Sequence, residues 1–143
     1  MTVQQALPQL YELSGDPGFL STFKKMKGDQ DRLEQKLWDE RAMLVRKHEE
    51  KLKNARGKAA LIRASGSLLQ EETKLKQAME MELTAFYERT VLPEWDDLVE
   101  RQQDTLEKLY VPTMFRTGVE TDRSRQQRIV EMLEGIVAEG DGE

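Results

Sequence analysis

The sequence predicts an all-α protein built around an elongated, antiparallel helical hairpin of coiled-coil type. Charged residues make up 34% of the chain and aromatic residues only 6%. This composition is typical of thin helices that bury one apolar stripe and leave the rest in water. Residues 31–110 contain a single proline, and their two halves carry opposite charge. We therefore expect two long helices folded back on each other, with short N-terminal helices and a C-terminal helix packing at the open end.

The charge of the long tract reverses near its middle. Residues 41–63 hold eight Lys or Arg and two Glu, a net charge of +6, whereas residues 71–107 hold eleven Asp or Glu and four Lys or Arg, a net charge of −7. The small residues 64–67 lie between them. Exposed ion pairs contribute only about 0.2–1 kcal/mol each, so these charges should specify the antiparallel register more than they stabilise the fold.

Capping and breaking residues predict the helix boundaries. Capping boxes pair Ser, Thr or Asp with an acid or amide three residues later, and they predict helix starts at Asp31, Ser67 and Thr117. Pro93 has no backbone N–H, so it should kink or interrupt the second arm of the hairpin.

A chain of 143 residues is long enough for one domain, and we expect a single helical domain over residues 1–138. Its predicted parts are short N-terminal helices within 3–27, hairpin arms over 31–64 and 68–110, and a C-terminal helix over 119–138. Residues 139–143 should form a disordered acidic tail.

A turn at Ser65 and Gly66 would set the register of the hairpin. It would place Arg46 near Phe86 and Trp38 near Trp95, so that the two tryptophans form a local core. A continuous helix that dimerises as an antiparallel coiled coil is the alternative, because it would pair the same charges between two chains. The apolar seam is interrupted by polar residues and is thin, so even the hairpin is expected to dimerise into a four-helix assembly.

Cysteine and histidine are scarce, so catalysis would have to use the carboxylates, which are typical of solvated helix faces. The sequence has no cysteine, and His48 is its only histidine. His48 lacks the Glu three residues before it that bundle metal sites use, and a zinc site would need more His or Cys ligands. No phosphate-binding glycine motif is present. We therefore expect no metal, no cofactor and no catalytic residue, and a protein that is not an enzyme.

Apolar residues outside the hairpin seam predict contacts with partners. The C-terminal helix is apolar over more than one face, and residues 111–115 form an apolar connection containing a proline. The candidate residues for partner binding and self-association are Ile129, Met132, Leu133, Ile136, Met114, Phe115, Trp38 and Trp95.

The basic stretch of residues 46–63 suggests a second kind of ligand. Its cations could contact the phosphates of nucleic acid or of an anionic membrane surface. The candidate residues are Arg46, Lys47, Lys51, Lys53, Arg56 and Lys58. The acidic arm supplies the opposite charge within the same chain, so pairing between the arms is the favoured interpretation.

The sequence therefore predicts a non-enzymatic helical scaffold or adaptor subunit that binds other proteins, themselves helical, and forms a homodimer. A membrane-surface or nucleic-acid-associated module is the alternative. The chain starts without the features of a signal peptide and has no apolar run of membrane-spanning length, so we expect a cytoplasmic or nuclear protein.

Overall fold

The computed structural model describes residues 2–62 and 65–141, and the described chain is helical without β-strands. The all-α class predicted from the sequence is confirmed. The elements are α1 (Val3–Ser14), α2 (Pro17–Ile62), α3 (Ser65–Phe86), a π-helical segment (Tyr87–Val91), α4 (Leu92–Lys108) and α5 (Glu120–Asp141).

The chain divides into two compact units. Unit 1 comprises Met1–Gln30 and Asp96–Glu143, and unit 2 comprises Asp31–Trp95. Helix α2 begins in unit 1 and continues into unit 2, whereas α4 begins in unit 2 and continues into unit 1.

Helix α1 and the start of α2 are closed by local caps. The Thr2 side chain accepts a hydrogen bond from the Gln5 backbone, and the Gln5 side chain accepts one from the Thr2 backbone, which forms a capping box. The Asp16 carboxylate accepts the N–H of Gly18 at 3.0 Å, next to Pro17 in the first helical position. These caps satisfy donors that the first turn of each helix leaves unpaired.

The predicted break between the N-terminal helices and the first arm is wrong. Helix α2 runs without interruption from Pro17 to Ile62, so Gly28 and Asp31 lie within it. A glycine inside a helix costs only about 1 kcal/mol relative to alanine. The buried side chains of Phe23 and Met26, just before Gly28, fix this part of the helix through packing.

The second predicted arm is interrupted at the predicted proline. The N–H of Leu92 donates to the carbonyl of Tyr87 five residues earlier, in a π-helical turn that ends next to Pro93. Such a turn accommodates a residue without a backbone N–H. Helix α3 begins at Ser65, two residues before the predicted cap at Ser67, so Ser65 and Gly66 are helical and the turn predicted at these two residues is wrong. Residues 63 and 64 lie outside the described part of the chain.

The C-terminal helix is longer than predicted. Helix α5 extends to Asp141, although residues 139–143 were expected to be a disordered tail; residues 142 and 143 lie outside the described part of the chain. Extending an existing helix needs no new nucleation, and no proline stops it here.

The core of unit 1 is apolar and joins all of its helices. Phe19 and Phe23 stack with ring centroids 5.9 Å apart, and α1 packs against α5. The buried residues of this core are Ala6, Leu10, Phe19, Phe23, Met26, Leu106, Val111, Met114, Ile129 and Leu133.

Unit 2 buries far less apolar surface. Among its described residues, the buried side chains are Leu37, His48, Ala55 and Ala59. The predicted tryptophan core is wrong, because Trp38 is 66% exposed and Trp95 is only partly buried. Adjacent residues of a helix point about 100° apart, so Trp38 faces away when Leu37 faces the seam.

Candidate functional site

The connection between α4 and α5 begins with a tight helix cap at Tyr110. The N–H of Tyr110 donates to the carbonyl of Glu107 at 3.0 Å, and the N–H of Val111 donates to the carbonyl of Leu106 at 3.0 Å. This pair of bonds is the Schellman motif, and buried Val111 and Leu106 supply its usual apolar residues. Tyr110 has a φ of 63°, in the left-handed region where glycine is favoured. A bulky residue there costs the fold about 1 kcal/mol.

The middle of the connection contains a second strained residue. Thr113 has a φ of 65°, which is unfavourable for a β-branched side chain. Its buried hydroxyl has no hydrogen-bond partner among the described residues. Two such residues within four positions persist only when their surroundings determine the backbone conformation.

Two buried glutamines hold this backbone in place. Gln103 and Gln126 are 3% and 5% exposed, and the Gln103 side-chain amide donates to Gln126 Oε1 at 2.9 Å. Gln103 also donates to the carbonyl of Thr117 and accepts its N–H. Gln126 donates to the carbonyls of Thr113 and Phe115 at 3.1 and 3.0 Å. All four amide N–H groups of the pair are therefore used, and the backbone of the connection is fixed to α4 and α5.

The start of α5 is built differently from the predicted capping box at Thr117. The Thr117 hydroxyl accepts the N–H of Val119 at 3.1 Å and donates to Asp122 at 3.2 Å, and the helix begins at Glu120. The hydroxyl thus makes a local turn, which competes with the capping geometry predicted from the sequence.

Arg116 attaches the connection to the acidic surface of α4. Its guanidinium donates to the Asp104 carboxylate, and Nη1 lies 3.9 Å from Glu100. The hydrogen bond with Asp104, followed by its negative charge, raises the pKa of Arg116 above its ordinary value. Arg123 similarly lies 3.5 Å from Asp96.

This fixed connection presents aromatic side chains to solvent. Tyr110 is 80% exposed and Phe115 is 43% exposed, whereas Met114 between them is buried. Of the two anchors that the sequence suggested here, only Phe115 is therefore accessible. Tyr110 was missed, because its positive φ is a property of the folded backbone that no sequence motif indicated.

Among the described residues of unit 2, three ion pairs and one histidine–carboxylate contact join α2 to the acidic helices. Lys36 lies 3.1 Å from Glu94, and Arg56 lies 2.7 Å from Glu72. Between them, Lys47 and His48 lie 3.8 and 3.1 Å from the same carboxylate oxygen, that of Glu82. The order of the partners is reversed: from Lys36 to Arg56 along α2, the acidic partners run back from Glu94 to Glu72.

His48 is the buried polar residue of the seam. Its Nε2 is within hydrogen-bond distance of Glu82 but is poorly aligned with it, and Nδ1 has no partner among the described residues. The interaction with the His48 ring is the main cause that lowers the pKa of Glu82, ahead of the opposing effect of partial burial. The positive charge of Lys47 lowers this pKa further.

The candidate anion-binding residues are all exposed on α2: Arg46, Lys47, Lys51, Lys53, Arg56 and Lys58. Lys47 and Arg56 form ion pairs with the acidic helix, and Lys51 contributes charge near Glu82. Within the described residues, Arg46, Lys53 and Lys58 form no ion pair.

The candidate partner-binding residues fall into two groups. Three of them, Ile129, Leu133 and Met114, are buried in the core of unit 1 and are therefore not accessible to a partner. Met132 and Ile136 are partly buried and pack against the same core. Phe115 and Trp38 are exposed, and Trp95 is partly buried. The structure thus does not bring the eight residues together into one surface.

The described residues contain no group of three or more His, Asp or Glu side chains placed to hold a metal ion. Unit 1 has a shallow cavity of about 320 Å³ lined by Gln9, Glu12, Leu13 and Asp16. None of the described helices combines the length and apolar character needed to cross a membrane.

The chain was compared with protein-family models, with curated proteins and with solved structures, and no match was found in any of the three. The described fold is that of an all-α protein with two compact units.

Replacing Gln126 with leucine should lower the free energy of unfolding by about 1–3 kcal/mol, because the buried amide of Gln103 and the part-buried carbonyls of Thr113 and Phe115 lose partners. Urea unfolding followed by circular dichroism measures the change. The neighbouring exposed Gln127→Leu is the control and should change stability by less than about 0.5 kcal/mol. Equal effects of the two substitutions would contradict the role assigned to Gln126.

Replacing Glu82 with glutamine should remove a pH-dependent part of the stability. The folded pKa of Glu82 lies below its ordinary value of 4.5, so its stabilisation is present above that value and is lost as the pH falls through the folded pKa. The stability difference between the parent and Glu82→Gln should shrink as the pH is lowered below about 4.5. Urea unfolding at several acidic pH values tests this, with exposed Glu80→Gln as the control. A difference that grows as the pH falls would show the opposite linkage.

Proposed function

We propose that the protein is a non-enzymatic helical scaffold or adaptor that binds other proteins and a second copy of itself. The part that carries this role is unit 2, which we interpret as an antiparallel hairpin of α2 against α3 and the start of α4. Unit 1, with its continuous apolar core, serves as the folded base of the chain.

The order of the ion pairs supports the hairpin. Along α2 the basic residues run from Lys36 through His48 to Arg56, and their acidic partners run in the reverse direction from Glu94 through Glu82 to Glu72. Only antiparallel segments give this order. The acidic partners lie two to four residues earlier in the chain than a turn at Ser65 and Gly66 predicts.

The observation that carries the proposal is the exposed apolar surface of unit 2. Among the described residues of this unit, the large apolar side chains exposed to solvent are Trp38, Met43, Leu61, Leu69, Met81, Tyr87 and Leu92. The buried apolar residues of this unit, among those described, are Leu37, Ala55 and Ala59. Fully burying a large apolar side chain stabilises a protein by about 1.5–3 kcal/mol, so covering several of them favours association.

The first partner that we infer for this surface is a second copy of the chain. Two hairpins packed together would form a four-helix assembly, in which each supplies the apolar surface that the other lacks. Symmetric pairing also uses one exposed patch on both copies, so it needs no further chain.

Charged substitutions at exposed apolar positions should therefore weaken self-association. We expect Trp38→Lys combined with Met81→Lys to shift the parent chain from dimer to monomer, because both side chains are exposed in the single chain and a lysine there must be desolvated in an interface. Light scattering after size-exclusion chromatography, over a range of concentrations, measures the mass.

The matched control is Gln77→Lys, an exposed polar position on α3. It should leave both the mass and the helix content unchanged. A parent chain that is monomeric at every concentration, or a double variant with the mass of the parent dimer, would contradict the proposal for self-association.

A second candidate function is binding to a phosphate-bearing surface of nucleic acid or lipid. The observation that favours it is incomplete pairing of the basic stretch, since Arg46, Lys53 and Lys58 are exposed and lack ion pairs among the described residues. The acidic arm therefore neutralises only part of the basic one, and the remaining cations are available to phosphates.

Charge reversal at Arg46 and Lys53 should weaken such binding. Duplex DNA and anionic vesicles serve as separate probes of the full chain, and binding should fall steeply between about 50 and 200 mM salt. Arg125→Glu with Arg128→Glu, at exposed cations of α5, is the matched control and should bind as the parent does. Binding that is absent at low salt, or equal in both variants, would exclude this function.

A further inference from the structure

Tyr110 occupies a backbone position at which glycine would be less strained. It occupies the left-handed position of the Schellman cap, with a φ of 63°. Its side chain is 80% exposed, so packing against the chain does not offset the strain of that backbone conformation. A strained residue whose side chain contributes little to stability indicates a role in binding.

The exposed apolar side chains of unit 1 are concentrated next to Tyr110. Among the described residues of this unit, the large hydrophobic side chains exposed to solvent are Tyr11, Tyr110, Phe115 and Val119, and three of these four lie in the connection between α4 and α5. Aromatic residues dominate the energetics of protein interfaces because they bury much area with few rotatable bonds.

The backbone that carries these side chains is fixed before any partner arrives. The Gln9 side chain of α1 donates to the carbonyl of Tyr110 at 2.9 Å, and Gln126 of α5 donates to the carbonyl of Phe115 at 3.0 Å. A partner therefore meets an ordered surface, and binding does not have to order a flexible loop.

The unit that carries this surface has an excess of negative charge, although Lys108 and Arg116 flank Tyr110 and Phe115 in the chain. Gln9, which holds Tyr110, also lines the shallow cavity with Glu12 and Asp16. Residues 1–30 and 96–143, which form unit 1, contain 15 Asp or Glu and nine Lys or Arg, a net charge of −6. The cation next to Phe115, Arg116, is already paired with Asp104. A surface of this sign attracts cationic segments and repels anionic ones.

We propose that Tyr110 and Phe115 form a docking surface for a partner segment rich in Lys and Arg. The aromatic faces receive the aliphatic stems and cationic heads of these side chains, and Glu12 and Asp16 complement their charge. The proposal rests on the adaptor role proposed above, but it uses a surface of unit 1 that is separate from the self-association surface of unit 2.

The substitution Tyr110→Gly separates binding from folding. Glycine relieves the strained backbone, so this variant should unfold at the same or a higher urea concentration than the parent while it loses the anchor. Short random peptides displayed on phage are selected against the full parent chain, and the peptides obtained are synthesised for fluorescence titration. We expect them to be enriched in Lys and Arg, and to bind Tyr110→Gly about tenfold or more weakly.

Two further variants complete the test. Tyr110→Phe keeps the aromatic face and should bind within a few-fold of the parent. Tyr87→Gly removes a tyrosine of unit 2 that is 54% exposed and should not change binding. Selection that yields no peptides or peptides without basic enrichment, or equal affinity for Tyr110→Gly, would overturn the proposal. A fall in the mass of Tyr110→Gly by light scattering would assign the surface to a second copy instead, and would also overturn it.

Discussion

The hydrogen bond between buried Gln103 and Gln126 is the interaction on which the ordered part of unit 1 depends. The two side chains join α4 to α5 and fix the backbone of the connection between them. Without these bonds, the carbonyls of Thr113, Phe115 and Thr117 would each lose a hydrogen bond, and Thr113 would lose a contact that holds its positive φ. The same bonds leave Tyr110 and Phe115 on the outside of a rigid segment, so a polar interaction inside the core determines which apolar groups face solvent.

The two units are stabilised in different ways, and this difference is the basis of the proposed function. Unit 1 has a continuous apolar core that includes the Phe19 and Phe23 stack. Unit 2 has a thin seam with alanines, a buried histidine and ion pairs at its margin. Exposed ion pairs specify alignment but add little free energy, so unit 2 retains apolar surface that a partner can cover. An adaptor needs this combination of a stable base and an incompletely covered surface.

The sequence correctly predicted features that depend on residues close together in the chain. Pro93 lacks a backbone N–H, and the helix is interrupted beside it as predicted. The break near Gly28 was wrong because packing of Phe23 and Met26 outweighed a local preference of about 1 kcal/mol. Of the candidate partner-binding residues, the apolar pattern identified Ile129 and Leu133 correctly as an apolar face, but it could not indicate that this face is covered within unit 1.

By itself the sequence determined the helical class, the opposed charges and the near absence of Cys and His, because these properties follow from composition and from the spacing of residues along the chain. Tertiary structure alone decided which apolar groups stay exposed. Trp38 lies outside the seam, although a tryptophan is expected to be buried, and Tyr110 takes a left-handed conformation that its own sequence disfavours. The backbone at Tyr110 is held in addition by Gln9, about a hundred positions earlier in the chain, and local patterns carry no information about such distant contacts.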